Sequence, residues 1–158
     1  MTGDLYVAWA DGRFGSNRRA DILLSTSSDA VHWSAPVMVN PSTGHKVVDH
    51  FTPAVAAYGG TVHVSYYTRE RAPGRYDVVY ANEASATRPG LAFGSQVTLG
   101  LPGDLQFAAR SGDDRFLGDY MGLAASAESV HAVWSRPSFE PGQPGPLHQA
   151  EFSATILP

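Results

Sequence analysis

One strand-like pattern occurs three times in this chain of 158 residues. Each occurrence alternates apolar with small or polar residues, reaches an aromatic residue and closes on an arginine. The three segments are LYVAWADGR (5–13), VHVSYYTR (62–69) and VHAVWSR (130–136). Alternation is typical of a strand with one buried face. A strand unit that recurs about every 60 residues predicts stacked β-sheets, such as the blades of a β-propeller.

The composition narrows the class of protein and its partners. Sixteen glycines and eleven prolines favour many short strands joined by turns. A formal charge of −4 without a run of lysine or arginine argues against nucleic acid as a partner. The absence of cysteine excludes disulfides and thiolate metal sites, and no apolar run has the length of a membrane span. No signal peptide precedes Asp4, so we expect the chain to begin within a fold.

Other strand-like segments surround the three repeats. Short segments rich in small apolar residues, 52–58 and 120–126, precede the second and third repeats and are typical of an innermost strand. We label the inner strand A, the repeat B, and the next two strands C and D. The predicted order is then B-C-D, A-B-C-D and A-B-C, with residues 154–158 as the start of a last D strand. No segment shows a sustained helical period.

We therefore predict an all-β chain of about three four-stranded antiparallel blades. The blade portions are 1–48, 49–112 and 113–158 of a single propeller segment. A β-sandwich with coincidentally similar strands is the alternative. Because half a ring would leave strand edges and faces open, we expect missing N-terminal blades in a longer chain. The second choice is a homodimer that closes a six-bladed ring.

The segment SSDAVHWSAPVMVN (27–40) resembles the Asp-box of sialidases and related propellers, S-x-D-x-G-x-T-W. Ser27, Asp29 and Trp33 match its serine, aspartate and tryptophan. The spacing from Asp29 to Trp33 is one residue short, the glycine is missing, and His32 replaces the threonine. In such a turn the aspartate accepts backbone N–H bonds and the tryptophan packs beneath. The resemblance implies a structural role for these three residues, on the face opposite the active site.

Three further phrases are similar to bacterial sialidase-like repeat proteins: VAWADGR (7–13), DHFTPAVAA (49–57) and FLGDYMGLAA (116–125). The resemblance implies a six-bladed propeller of which this chain is about the C-terminal half. It also implies an exo-α-sialidase-like glycoside hydrolase, or a glycan-recognising relative, that takes terminal and acidic sugars. A non-catalytic binding or scaffold module of an exported bacterial protein is the alternative. In either case the parent protein is expected to be secreted or at the cell surface.

Arginines are the natural ligands for a sugar carboxylate, because the guanidinium stays charged and offers a bidentate fork. Arg13, Arg69 and Arg136 end the three repeats and are expected to approach one surface. Arg115 and Asp119 are expected beside them in the loops before the inner strands. The competing expectation is that the repeat arginines bind aspartates of neighbouring blades. The arginine motif F/Y-R-I-P of the family is absent from this chain.

Sialidases use a tyrosine nucleophile activated by a glutamate, with an aspartate as acid/base. By this resemblance Tyr120, Glu70 and Asp49 are the catalytic candidates. Asp119 and Tyr120 are adjacent, so in a regular strand they would point to opposite sides. We expect no efficient catalysis by the isolated chain, since half a ring cannot supply residues from the missing blades.

The remaining polar residues predict no cofactor. His63 and His131 occupy equivalent places in two repeats, which indicates a repeated packing role, and no zinc-type histidine spacing occurs. Loop carboxylates suit calcium, so Asp113 and Asp114 are candidate ligands, but the EF-hand pattern is missing.

Overall fold

The computed structural model describes residues 3–13, 19–41, 48–71, 77–138 and 148–157. Within these ranges the chain forms thirteen strands and one 3₁₀ turn, Leu105–Phe107. The strands are β1 (Leu5–Asp11), β2 (Asp21–Ser27), β3 (Val37–Met38), β4 (Val48–Tyr58), β5 (Thr61–Arg71), β6 (Asp77–Thr87), β7 (Gln96–Thr98), β8 (Gly103–Asp104), β9 (Ala109–Ser111), β10 (Asp114–Phe116), β11 (Gly122–Ala125), β12 (Val130–Pro137) and β13 (Gln149–Ile156). The predicted all-β class is confirmed.

The strands form separate antiparallel sheets. The first sheet has the order β1-β2-β3, the second β4-β5-β6-β7 and the last β11-β12-β13, while β9 and β10 form a hairpin. Strand β8 pairs with β6 at Val78 and Val79, a part of β6 that does not pair with β7. This order matches the predicted B-C-D, A-B-C-D and A-B-C. None of the sheets closes on itself, and the assignment to a propeller stays a prediction.

Three details of the strand prediction are wrong. Residues 154–156 belong to β13 and do not begin a further strand. The inner strand expected at 120–126 is confined to Gly122–Ala125, so Asp119 and Tyr120 precede it and the argument from strand alternation does not apply to them. Arg115, expected in a loop before the inner strand, lies in β10, because residues 103–116 fold into β8, the 3₁₀ turn and the β9–β10 hairpin.

A two-residue turn fixes the register of the second sheet. Gly59 and Gly60 join β4 to β5 with φ angles of 58° and 85°. Positive φ at both central residues is the signature of the tight hairpin turn whose twist matches that of the strands. Tyr58 pairs with Thr61 across it, and the pairing continues to Ala54 and Ser65, where a bulge interrupts the ladder. This register decides which β5 residues face each neighbouring sheet.

The second sheet is buried on both faces. One face of β5 presents Val62, Val64 and Tyr66 to a cluster that contains Ile22 and Leu24 of the first sheet. The opposite face presents Tyr67 to a cluster shared with the last sheet, which contains Trp134. Adjacent residues point to opposite faces of a strand, so neighbouring tyrosines serve two different cores.

Tyr67 also connects the second and last sheets through hydrogen bonds. Its hydroxyl donates to the Ser135 carbonyl at 3.0 Å and accepts from the Ser135 backbone N–H at 2.8 Å. Burial raises the pKa of Tyr67 to about 12, so the hydroxyl keeps its proton at neutral pH. The Tyr67 side chain of the second sheet thereby satisfies both the backbone N–H and the backbone carbonyl of Ser135 in the last sheet.

The Asp-box resemblance corresponds to a side-chain-stabilised turn after β2. Asp29 accepts from the backbone N–H groups of Val31 at 2.9 Å and His32 at 2.7 Å, and the Ser27 hydroxyl donates to it. The His32 ring also contacts this carboxylate, with 2.7 Å between His32 Nδ1 and Asp29 Oδ2. The ring contact lowers the pKa of Asp29 most, and the backbone and Ser27 hydrogen bonds lower it further. The Trp33 indole, 42% exposed, donates to the Ala30 carbonyl at 3.3 Å.

Across the residues that the structure describes, no helix is long and apolar enough to cross a membrane.

The Tyr67 bridge can be tested by Tyr67→Phe. Loss of the hydroxyl leaves the buried Ser135 backbone groups without their partner, so we expect a loss of about 1–3 kcal/mol in the free energy of unfolding. Tyr58→Phe is the matched control, because that side chain is 52% exposed and should change stability little. Urea unfolding followed by tryptophan fluorescence measures both. Equal stabilities of the two variants would contradict the bridge.

Candidate functional site

An open polar cleft of about 660 Å³ lies where the second sheet meets the β9–β10 hairpin. Two arginines, two aspartates, a glutamine and two apolar residues line it. They are Phe51, Arg69, Leu105, Gln106, Asp113, Asp114 and Arg115. Two of the predicted substrate-binding residues, Arg69 and Arg115, therefore meet at one opening.

Arg69 is held in place by Asp49. The two residues are directly opposite each other on β5 and β4, and the Arg69 Nη2 atom lies 3.0 Å from Asp49 Oδ2. The other carboxylate oxygen of Asp49 accepts from the Ala20 backbone N–H at 2.9 Å. Arg69 therefore binds an aspartate of its own sheet and not one of a neighbouring blade, while the contact of the Asp49 carboxylate with the Ala20 backbone connects this pair to the first sheet. About 45% of the Arg69 side chain remains exposed.

Among the acids that the structure describes, none lies within ion-pair distance of Arg115. Its Nη1 atom donates to the Ala108 carbonyl at 3.1 Å, and among the described residues it forms no ion pair within 4.0 Å. Arg110 lies directly opposite Arg115 in the β9–β10 ladder. Like charges at directly opposed positions repel each other, and a bound anion would relieve that repulsion.

Gln106 is the polar lining residue that sequence reasoning missed. The Asp104 carboxylate caps the 3₁₀ turn by accepting from the Gln106 backbone N–H at 2.9 Å, and it also accepts from the Gln106 side-chain amide at 2.8 Å. The amide nitrogen is therefore engaged, which leaves its carbonyl oxygen as an acceptor for the cleft. The only sequence signal was an aspartate two residues ahead of a glutamine, the spacing of a side-chain cap.

Arg13 and Arg136 do not line this cleft. The Arg13 guanidinium forms an ion pair with Asp11 at 2.9 Å on the same end of β1. The Arg136 guanidinium lies over the Phe152 ring, 4.1 Å from its centroid. The three repeats closed on arginine at different distances from their aromatic residue. The arginine follows Trp9 by four residues, Tyr66 by three and Trp134 by two. Because side chains alternate along a strand, Arg69 and Arg136 lie on opposite faces of their sheets relative to these aromatic residues, whereas Arg13 lies beyond the end of β1.

The structure does not bring the catalytic candidates together. Tyr120 is 87% exposed, and neither it nor the exposed Asp119 lines the cleft. Glu70 lines a separate small pocket with Thr68 and Gln96, since it lies on the face of β5 opposite Arg69. Asp49 is engaged by Arg69 and by the first sheet.

Cation binding finds no support in the described part of the chain. No group of three or more histidine, aspartate or glutamate side chains is arranged to hold a metal ion there. Asp113 and Asp114, the candidate calcium ligands, both line the cleft beside Arg115.

No protein-family model and no curated protein matches the chain.

His50 follows Asp49 in β4. Its side chain is 2% exposed, and its Nδ1 atom lies 3.3 Å from the Ala20 carbonyl. Burial lowers the pKa of His50, and the Ala20 hydrogen bond and the nearby Asp21 charge oppose that shift only in part. Together with Asp49, this histidine joins the start of the second sheet to the first.

The lowered pKa of His50 predicts a pH-dependent stability. As the pH falls below the unfolded histidine pKa of about 6.5, the unfolded chain binds a proton that folded His50 resists, so the free energy of unfolding decreases. His50→Asn keeps a donor for the Ala20 carbonyl and removes the titration. Thermal unfolding between pH 7.5 and about 5 should show a shallower loss of Tm in this variant.

His131→Asn is the control, because His131 is exposed in the last sheet. It should retain the pH dependence of the wild type. A wild-type slope in His50→Asn, or an equal flattening in both variants, would contradict the assignment to His50.

Proposed function

We propose that this chain is part of a sialidase-like β-propeller and that its cleft recognises a terminal acidic sugar without hydrolysing it. The observation that carries the proposal is the meeting of Arg69 and Arg115 at one polar opening, with Arg115 unpaired by any described acid. A sugar acid presents a planar carboxylate, which a guanidinium binds through two parallel N–H donors. The resemblance at Ser27 to Trp33 and in the repeats supports the choice of substrate class.

The two arginines have different roles in binding the sugar. Arg115 supplies the charge, because Asp49 already neutralises much of the charge of Arg69. Arg69, fixed by that ion pair, supplies an oriented donor. Asp113, Asp114 and the Gln106 carbonyl are acceptors for sugar hydroxyl groups. The acidic pair also disfavours ligands with a high negative charge, which fits a single carboxylate on a hydroxylated ring.

Recognition without hydrolysis is favoured by the positions of the catalytic candidates. Glycoside cleavage requires a nucleophile and an acid/base within a few ångströms of one anomeric carbon. Tyr120 and Glu70 do not line the arginine cleft, and Asp49 is bound to Arg69. The chain alone therefore offers a carboxylate-binding surface rather than an assembled reaction centre.

Binding of N-acetylneuraminic acid, measured by calorimetry or NMR titration, tests the proposal. Arg115→Gln should weaken binding about tenfold or more, since a charge-assisted hydrogen bond contributes more than a neutral one. Arg13→Gln is the matched control, because its arginine is paired with Asp11 outside the cleft, and it should bind as the wild type does. N-acetylmannosamine, which lacks the carboxylate, should not distinguish the variants.

Two results would contradict this proposal. The first is an absence of binding, or binding that Arg115→Gln leaves unchanged. The second is turnover of a fluorogenic sialoside that Tyr120→Phe abolishes, which would restore the catalytic assignment.

A further inference from the structure

A second cleft, of about 480 Å³, opens between the second and last sheets at the end opposite Arg69. Its polar wall comes from β5 and β6 and includes His63, Glu83 and Ser85. Its apolar wall includes Tyr58, Ile156 and Leu157. This size lies within the range of small-molecule sites in proteins, and such sites combine apolar walls with a few placed polar groups.

A buried carboxylate orients the histidine of this cleft. Glu83 is 3% exposed, and its Oε1 atom lies 3.0 Å from His63 Nδ1. A carboxylate oxygen is a hydrogen-bond acceptor, so the donor that fits this contact is the His63 Nδ1–H group. The Nε2 atom then faces away from Glu83, and it has no hydrogen-bond partner among the described residues. The His63 side chain is 16% exposed, and its Nε2 atom is accessible from the cleft.

His131, the equivalent histidine of the last sheet, differs from His63 in its hydrogen bonds. His131 Nε2 lies 2.9 Å from the Ser129 hydroxyl, and its Nδ1 lies 3.2 Å from the Thr155 hydroxyl. Both ring nitrogens of His131 are thus satisfied within the protein. The sequence expectation of one repeated packing role therefore does not describe His63, whose second nitrogen is directed to a cleft.

We infer that this cleft binds a neutral, mainly apolar ring that carries a hydroxyl group, such as a phenol or a cyclic alcohol. The Nε2 atom accepts from a hydroxyl when His63 is neutral and donates to it when the ring is protonated, and a hydroxyl matches both roles. Glu83 disfavours anions in the same cleft. No described group of side chains provides the further ligands that a metal ion would require.

Ser85 defines the position of the hydroxyl. It lies directly opposite His63 in the β5–β6 ladder, while Glu83 is two residues along the same strand and on the same face. Directly opposed residues of an antiparallel pair have Cβ atoms about 5 Å apart. A ligand hydroxyl at Nε2 is therefore within reach of the Ser85 hydroxyl, and the ring of the ligand extends toward Ile156 and Leu157.

The test compares phenol with toluene, which has a similar shape but no hydroxyl. Both are titrated into protein with ¹⁵N-labelled histidine, and the His63 ring resonances are followed by NMR. We expect a saturable shift of Nε2 with phenol and an affinity for toluene that is about tenfold lower, the effect of one hydrogen bond. Arg115→Gln should leave phenol binding unchanged, which separates this cleft from the arginine cleft.

His63→Phe combined with Glu83→Gln removes both members of the pair, so no buried charge is left unpaired. This variant should bind phenol and toluene with equal affinity, whereas His131→Phe should keep the preference for phenol. Absence of phenol binding, equal affinities in the wild type, or a preference that survives in the double variant would overturn the inference. The wild-type comparison decides the matter even where a variant fails to fold.

Discussion

The burial of β5 on both faces is the constraint on which the rest of the structure depends. Tyr66 serves the core shared with the first sheet, and Tyr67 serves the core shared with the last sheet. The register of a strand is strongly specified wherever one of its faces is buried, and here a shift of one residue would exchange two cores at once. The two-glycine turn and the Tyr67–Ser135 hydrogen bonds hold that register.

The same face of the second sheet carries both clefts. His63 is near one end of β5, Tyr67 lies in the packed middle, and Arg69 is at the other end, so three residues at alternate positions point toward the last sheet. In the middle of the strand the second and last sheets pack into a core. The cleft at the His63 end opens between these two sheets, and the cleft at the Arg69 end opens against the β9–β10 hairpin. One opening brings two arginines together with two aspartates, and the other combines an apolar wall with an oriented imidazole.

The sequence was sufficient for the order of strands in the three larger sheets, because alternation, glycine turns and the repeat are local signals, but it did not predict the short strands β8, β9 and β10. It also predicted the turn at Asp29, whose hydrogen bonds are made within a few residues. Contacts between residues that are far apart in the chain could not be predicted from the sequence. The pairing of His63 with Glu83 joins residues on two strands, and the meeting of Arg69 with Arg115 requires the β9–β10 hairpin to fold against another sheet. Neither relation leaves a spacing in the chain that could be read directly.

Amide hydrogen exchange, measured residue by residue by NMR, tests the central role of β5 most directly. Exchange of the most protected amides reports opening of the whole fold, while edge strands exchange through smaller openings. The account predicts that the amides from Val62 to Tyr67 are the slowest in the molecule, and that those of β1 and β13 are faster. If β5 exchanged as quickly as these outer strands, the two-sided core would not be what holds the sheets together.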